Sequence, residues 1–221
     1  MTAGPPVSID SCGKQYCVID TGALVNLCRV ELGTRRAIDW ILNDFCVVIP
    51  GAIFDEGKHL VSPTDPDEHA HYFTVILALV RSTNPTCEII MDDQVSHLPP
   101  AERIKIDAGE KAAAAFAFEA SRVHKQYVLF VTNDFSASDP LKTIFSNVQL
   151  GILRDAYDAL EFIASRHPEE IPPKALEIAL RELNAMVRDP DLSLQETSIP
   201  DQVLARHLQT LQKYPDVFAA I

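Results

Sequence analysis

Apolar residues in this chain fall into short runs that alternate with stretches of helical spacing. Tyr16 to Ile19 has the length and branching of a strand buried on both faces, and after Asp20 the pattern changes to helical spacing at Ala23, Leu24 and Leu27. Arg35 to Asn43 is again helical, and Cys46 to Ile49 reads as a second buried strand closed by Pro50. Proline in a first helical turn gives up an N–H that is unpaired there anyway, so Pro50 to Glu56 reads as a helix start. Residues 61 to 67 form a turn-rich loop, His69 to Val80 returns to helical periodicity, and Cys87 to Met91 reads as the third strand. Ile106 to Ala120 is an alanine-rich helix whose small side chains allow close approach to a sheet. Tyr127 to Val131 is the fourth strand, ending in Thr132-Asn-Asp134. A short helix from Asp139 to about Phe145, a fifth strand from Val148 to Leu153 and a helix from Asp155 to Ala164 come next.

Five strands alternating with helices predict an α/β fold of three layers, with one five-stranded parallel sheet covered on both faces. Residues 1–14, with Gly4, Pro5, Pro6 and Gly13, read as a loose arm, 15–165 as the α/β domain and 166–221 as a helical extension. Three prolines between Arg166 and Pro173 mark the hinge. Beyond it, Lys174 to Arg188 and Asp201 to Lys213 repeat apolar residues on one face, joined by a loop with Pro190 and Pro200. Two helices are too few for a core of their own, so this pair packs on the sheet domain or on a second subunit, as in a homodimer.

Composition narrows the classes. A chain of 221 residues with 47% apolar residues buries one substantial core, or one core with a small appended unit. No run approaches the roughly 18 apolar residues of a membrane span, and residues 1–15 lack a secretion signal, so the expectation is a soluble, cytoplasmic protein. The cysteines, Cys12, Cys17, Cys28, Cys46 and Cys87, are odd in number and form no C-x-x-C pair, which argues for reduced thiols. A formal net charge of −12 opposes loose attraction to a polyanion. Binding to nucleic acid therefore requires a local basic patch, a cationic partner, or metal ions in an acidic pocket.

Asp20, Glu56, Asp107, Glu110 and Asp134 supply such a pocket. Asp20 and Asp134 end or follow apolar strands, Glu56 sits one turn into the helix after another, and Asp107 with Glu110 opens the helix before the strand that leads to Asp134. In a parallel sheet these places converge on the C-terminal edge, where open α/β sheets bind ligands. Gathered carboxylates repel one another unless a cation neutralises them, and oxygen ligands without His or Cys select Mg²⁺ or Mn²⁺ over zinc. Each acid also has a purely structural use. Asp20 can cap the following helix, Asp107-x-x-Glu110 fits a capping box, Asp134 suits a turn, and Glu56 suits a solvated helix face.

The order of these segments carries a resemblance. Ile19-Asp20-Thr-Gly-Ala-Leu, Ile49-Pro-x-x-Ile53-x-x-Glu56, Asp107-x-Gly-Glu110 and Phe130-Val-Thr132-x-Asp134 together resemble the PIN-domain family of metal-dependent nucleases, over roughly residues 15 to 165. The resemblance implies a parallel sheet ordered 3-2-1-4-5 and Mg²⁺ or Mn²⁺ held at its C-terminal edge. Matched by position, Asp20, Glu56, Glu110 and Asp134 are the acidic quartet, Asp107 is a supporting or alternative third acid, and Thr132 is the hydroxyl residue that orients the metal's surroundings. The implied activity is phosphodiester hydrolysis in RNA by metal-activated water, with DNA left open. Many small bacterial PIN proteins are VapC-type toxins of toxin-antitoxin pairs, which implies an antitoxin as protein partner.

Other patterns bear on function. Asp20-Thr-Gly-Ala23 also matches the aspartic-protease tetrad, but that chemistry needs two facing aspartates on an all-β frame, and the segment after Asp20 is helical. A PIN-like domain that serves as a non-catalytic binding or regulatory module, acting through its C-terminal helices, is the alternative to an enzyme. Lys58, His59, Arg103, Lys105 and Lys111 flank the acids as a nucleic-acid-binding rim, or as ordinary solvated residues. The pair His69-x-His71 faces two ways on a helix, and no phosphate-cradling Gly-x-x-x-x-Gly-Lys loop is present.

Overall fold

The computed structural model describes residues 14–61, 70–123, 125, 127–148, 150–187 and 199–213. The arm at 1–13, the loop residues 62–68, His69, and Arg188 with most of the loop before the last helix lie outside the described residues. Among the described residues, no helix is long and apolar enough to cross a membrane.

The first apolar run becomes β1 (Tyr16–Ile19), with every residue buried, as a strand covered on both faces requires. It leads into α1 (Thr21–Arg29). A small antiparallel pair follows, β2 (Glu31–Leu32) with β3 (Arg35–Arg36), then α2 (Ala37–Asp44) and β4 (Cys46–Pro50). Periodicity alone assigns Arg35 and Arg36 to the helix. They pair with β2 instead, and the Leu32 carbonyl accepts from the Trp40 indole at 2.8 Å while Arg35 lies over the same ring. The next helix, α3 (Gly51–Gly57), starts one residue later than expected, because Pro50 still belongs to the strand.

The third sheet strand differs from expectation. It is β5 (Val80–Arg81), reached through a π-helical turn (Tyr72–Ile76) and a 3-10 turn (Leu77–Leu79), whereas Cys87 to Met91 lies inside α4 (Pro85–Ser96). The physical reason is local. Asn84 caps the helix by accepting from the Thr86 N–H at 3.0 Å, and Pro85 occupies the first turn. Cys87, Met91 and Val95 are then buried at four-residue spacing, while Ile89 is 70% exposed.

After α5 (Pro100–Arg103) comes α6 (Ala108–Val123), then β6 (Val128–Val131), α7 (Phe135–Val148), β7 (Gly151–Arg154) and α8 (Ala156–Arg166). The helix α7 begins well before Asp139 and runs through Pro140. All pairings of the five-stranded sheet are parallel, in the order β5-β4-β1-β6-β7, which is 3-2-1-4-5 among the parallel strands. On one face α6 lies against β1, β4 and β6, its buried alanines letting the backbones approach, with α4 and α7 beside it. Helices α1, α2 and α8 cover the other face, completing three layers.

The extension consists of α9 (Pro173–Val187) and α10 (Ile199–Lys213). Leu176, Ala179, Leu180 and Leu183 of α9 are buried against α1, β2 and α8, and α10 rests on α9 and α8 through His207 and Leu211. The pair shares the main core and leaves no separate one. Four cysteines, Cys17, Cys28, Cys46 and Cys87, are free thiols.

Candidate functional site

Strand order reverses between β1 and β6: the chain leaves β1 towards β4 and leaves β6 towards β7. That divergence opens a crevice at the strands' C-terminal ends. Asp20 stands there. Its N–H donates to the Val131 carbonyl at 2.8 Å, fastening the end of β1 to β6. Its Oδ1 accepts from the Thr21 N–H at 2.6 Å and its Oδ2 accepts from the Thr132 hydroxyl at 3.2 Å. The Thr132 Oγ1 in turn accepts from the Asp134 N–H at 3.0 Å. Asp134 thus joins the site through Thr132, while its Oδ1 accepts from the Ala137 N–H at 3.1 Å in the first turn of α7.

Two more elements close on Asp20. Thr21 is buried and its hydroxyl donates to Glu56 Oε2 at 2.9 Å, which ties α3 to the start of α1. At the head of α6, the Asp107 N–H donates to Glu110 Oε2 at 2.7 Å and the Glu110 N–H donates to Asp107 Oδ1 at 3.0 Å. This is a reciprocal capping box. Between them, Gly109 allows the two groups to meet. A Cβ there would lie 3.2 Å from Asp107 Oδ1 and 3.3 Å from Glu56 Oε2. Glycine is the residue that lets the carboxylates of α3 and α6 approach without displacement.

The resulting cluster is under electrostatic pressure. Asp20 is 7% exposed and its carboxyl is pushed up to about 6, first by burial and then by the charges of Asp107 and Glu56, against the hydrogen bonds from Thr21 and Thr132. Glu110 is 2% exposed and pushed up to about 9, again first by burial, then by the hydrogen bond it shares with Asp107 and by the charge of Asp20. Asp107 moves the other way. Burial raises it, but the hydrogen bonds from Glu110 and Gly109, with Lys111 nearby, outweigh that and hold it below the usual carboxylate range. Among the described residues, no Lys, Arg or His forms an ion pair with Asp20, Glu56 or Glu110.

By donor type this set suits a hard divalent cation, but Glu56 and Asp107 are exposed and, among the described residues, no three of these carboxylates bring oxygens within 4.8 Å of one another. The set offers carboxylate oxygens from Asp20, Glu56, Asp107 and Glu110, hydroxyls from Thr21 and Thr132 that fix two of them, and no sulfur or imidazole. Asp134 stands at the margin of the group, on the far side of Thr132. Nothing in the sequence pattern singles out Thr21, although it immediately follows Asp20. Its function as a brace for Glu56 depends on where α3 falls.

The proposed cationic rim is mostly engaged elsewhere. Lys58 pairs with Asp55 at 2.7 Å and Lys111 with Asp92 at 3.2 Å, and Arg103 donates to the carbonyls of Ser96 and Leu98. His59 and Lys105 are exposed. His71 pairs with Asp39 at 3.7 Å, away from the acids. Among the described residues, the one group of three such side chains whose ligand atoms all lie within 4.8 Å of one another is a different one, Asp155, Asp158 and His207. That group already contains a cation. The Arg206 guanidinium is 3.5 Å from Asp155 Oδ2 and donates to His207 Nε2 at 3.1 Å, and His207 Nδ1 is 2.8 Å from Glu161.

Comparison of the chain with protein-family models, with curated proteins and with solved structures gave no match.

Proposed function

We propose that this chain is a metal-dependent nuclease of PIN type, which hydrolyses phosphodiester bonds in RNA with Mg²⁺ or Mn²⁺ at the acid cluster. The observation that supports it most is the gathering of Asp20, Glu56, Asp107 and Glu110 around the strand-order reversal, with the buried carboxyls of Asp20 and Glu110 raised and no protein cation paired to Asp20, Glu56 or Glu110 among the described residues. A bound divalent ion would supply a water of lowered pKa and charge to offset the scissile phosphate. Asp20, Glu56 and Glu110 would hold it, with Asp107 and Asp134 in support. Thr132 and Thr21 would keep Asp20 and Glu56 oriented, and a carboxylate not engaged by the ion would accept the water's proton.

The reading is tested by incubating a mixed RNA pool with the protein and Mn²⁺, comparing wild type with Asp20→Asn. Cleavage by wild type that disappears in the variant and in EDTA is the expected result. Equal cleavage by both, or none by either, contradicts it. One set of observations favours a second reading, a non-catalytic module: Asp107 and Glu110 satisfy each other as a capping box and Asp134 caps α7. In that case the RNA stays intact over a full titration of the protein. An antitoxin-like partner and a homodimer belong to this proposal as partners to be sought by co-purification.

A further inference from the structure

The acid cluster borders a cavity of about 290 Å³ beyond the ends of β6 and β7, and Thr132 and Asp134 belong to both. The cavity has two kinds of wall. Phe135, Leu153 and Val203 offer apolar surface, and Lys142, Arg154 and Arg206 offer positive charge. Val203 and Arg206 come from α10, so the C-terminal extension closes a side of the cavity that the sheet domain alone leaves open.

Asp134, Asp155 and Asp158 also line it, and the last two are paired. Asp155 Oδ2 is 3.5 Å from Arg206 and Asp158 Oδ2 is 4.0 Å from Arg154, while the two guanidinium side chains stay 61% and 53% exposed. Lys142 reaches Asp139 at 3.2 Å and is 59% exposed. A guanidinium presents five N–H donors, so one engaged by a carboxylate retains donors for a second anion. The volume exceeds what a bare phosphate or metal ion fills, being about ten times the ~30 Å³ share of a water. An apolar and aromatic wall beside several cations is the combination that holds an unstacked base together with its phosphate.

We infer that this cavity is the subsite for the nucleotide next to the scissile phosphate of a single-stranded nucleic acid, with the base against Phe135 and Val203 and its phosphate held by Arg206 and Lys142. Its place beside the cut rests on the nuclease reading; its capacity to bind a strand does not. Arg206 is a binding residue here, delivered by a segment outside the sheet domain.

The test is fluorescence anisotropy with a short labelled oligoribonucleotide in EDTA, across a salt series. Arg206→Glu is expected to weaken binding about tenfold and to lower the salt slope by about one, whereas Lys174→Glu, the same charge change at an exposed position outside the cavity, shifts it less than about twofold. Phe135→Ala weakens binding of the normal strand and leaves an abasic strand of equal length unaffected. Melting curves accompany each variant, and Arg206→Gln, expected at about threefold, replaces Arg206→Glu if the charge reversal unfolds the chain. Equal weakening by Arg206→Glu and Lys174→Glu, indifference to Phe135→Ala, or no binding by wild type overturns the inference. Strand binding that depends on Arg206 without any Mn²⁺-dependent cleavage keeps the subsite and removes the nuclease. Cleavage that depends on Asp20 with binding indifferent to Arg206 and Phe135 does the reverse.

Discussion

Two groups of carboxylates lie at the same end of the sheet, and the chain treats them differently. Around Asp155 and Asp158, α10 supplies Arg206 and His207, so the negative charge is met by side chains of the protein itself. Asp44 is handled the same way, by Arg166 at 3.1 Å and His167 at 3.1 Å. Around Asp20, Glu56 and Glu110 the neighbours are threonine hydroxyls, backbone N–H groups and other acids, and the two buried carboxyls, Asp20 and Glu110, rise towards neutral pH and beyond. Elsewhere the fold meets acid charge with arginine and histidine, although burial raises Asp155 as well, whereas among the described residues Asp20, Glu56 and Glu110 have no such partner. The contrast supports the proposal that a divalent ion from solution completes this site.

The largest expected effect breaks the comparison at Asp20. Asp20→Asn keeps size and hydrogen-bonding shape but removes a charge that would hold the ion, and Mn²⁺-dependent RNA cleavage should fall by more than about 100-fold, beyond the range for a residue that only orients a metal ligand. Gel-resolved cleavage rates check it. Next comes the seat of the extension. Leu180 is fully buried on α9, so Leu180→Ala should cost about 2–5 kcal/mol in denaturant unfolding. A cost below about 1 kcal/mol would mean that α9 is not part of the shared core. Thr132→Val removes the hydroxyl that donates to Asp20, and cleavage should drop about 10- to 100-fold, measured against metal concentration to separate affinity from rate.

A subtler consequence concerns pH. Asp20 and Glu110 sit at about 6 and 9 in the folded chain against ordinary values of 3.8 and 4.5, so the folded state holds protons that the unfolded state releases. Stability from these groups is therefore complete below about pH 4 and drains away as pH rises through 6 and then 9. In EDTA the melting temperature should fall across that window. Saturating Mn²⁺ should flatten the decline, because the ion takes the place of the protons. A melting temperature that climbs from pH 5 to pH 9 in EDTA would break this part of the comparison.

How much of the site is legible in the sequence depends on where its acids sit. Asp20, Glu56 and Asp134 stand at or just past the ends of apolar strands, and in a parallel sheet such ends share one edge, so their common edge can be read locally, while Glu110 heads the helix before β6. Their partners are less legible. That Thr21 braces Glu56, and that Gly109 makes room for it, depends on how α1, α3 and α6 pack. Arg206 lies in an ordinary amphipathic helix, and only the docking of α9 and α10 on the sheet domain carries it to Asp155. In the fold, the third strand is misplaced by periodicity because Val80–Arg81 is only two residues long and carries no period, while the apolar run from Cys87 imitates a strand. The Asn84-Pro85 signal ahead of that run is the feature that identifies the helix.

The central claim is that the edge acids exist to hold a divalent ion, and titration calorimetry with Mn²⁺ on wild type, Asp20→Asn and Asp158→Asn tests it most directly. The account predicts a site in wild type that Asp20→Asn abolishes and Asp158→Asn preserves, since Arg206 and His207 already serve the second group. Equal binding by all three proteins, or a site lost only with Asp158→Asn, would contradict it.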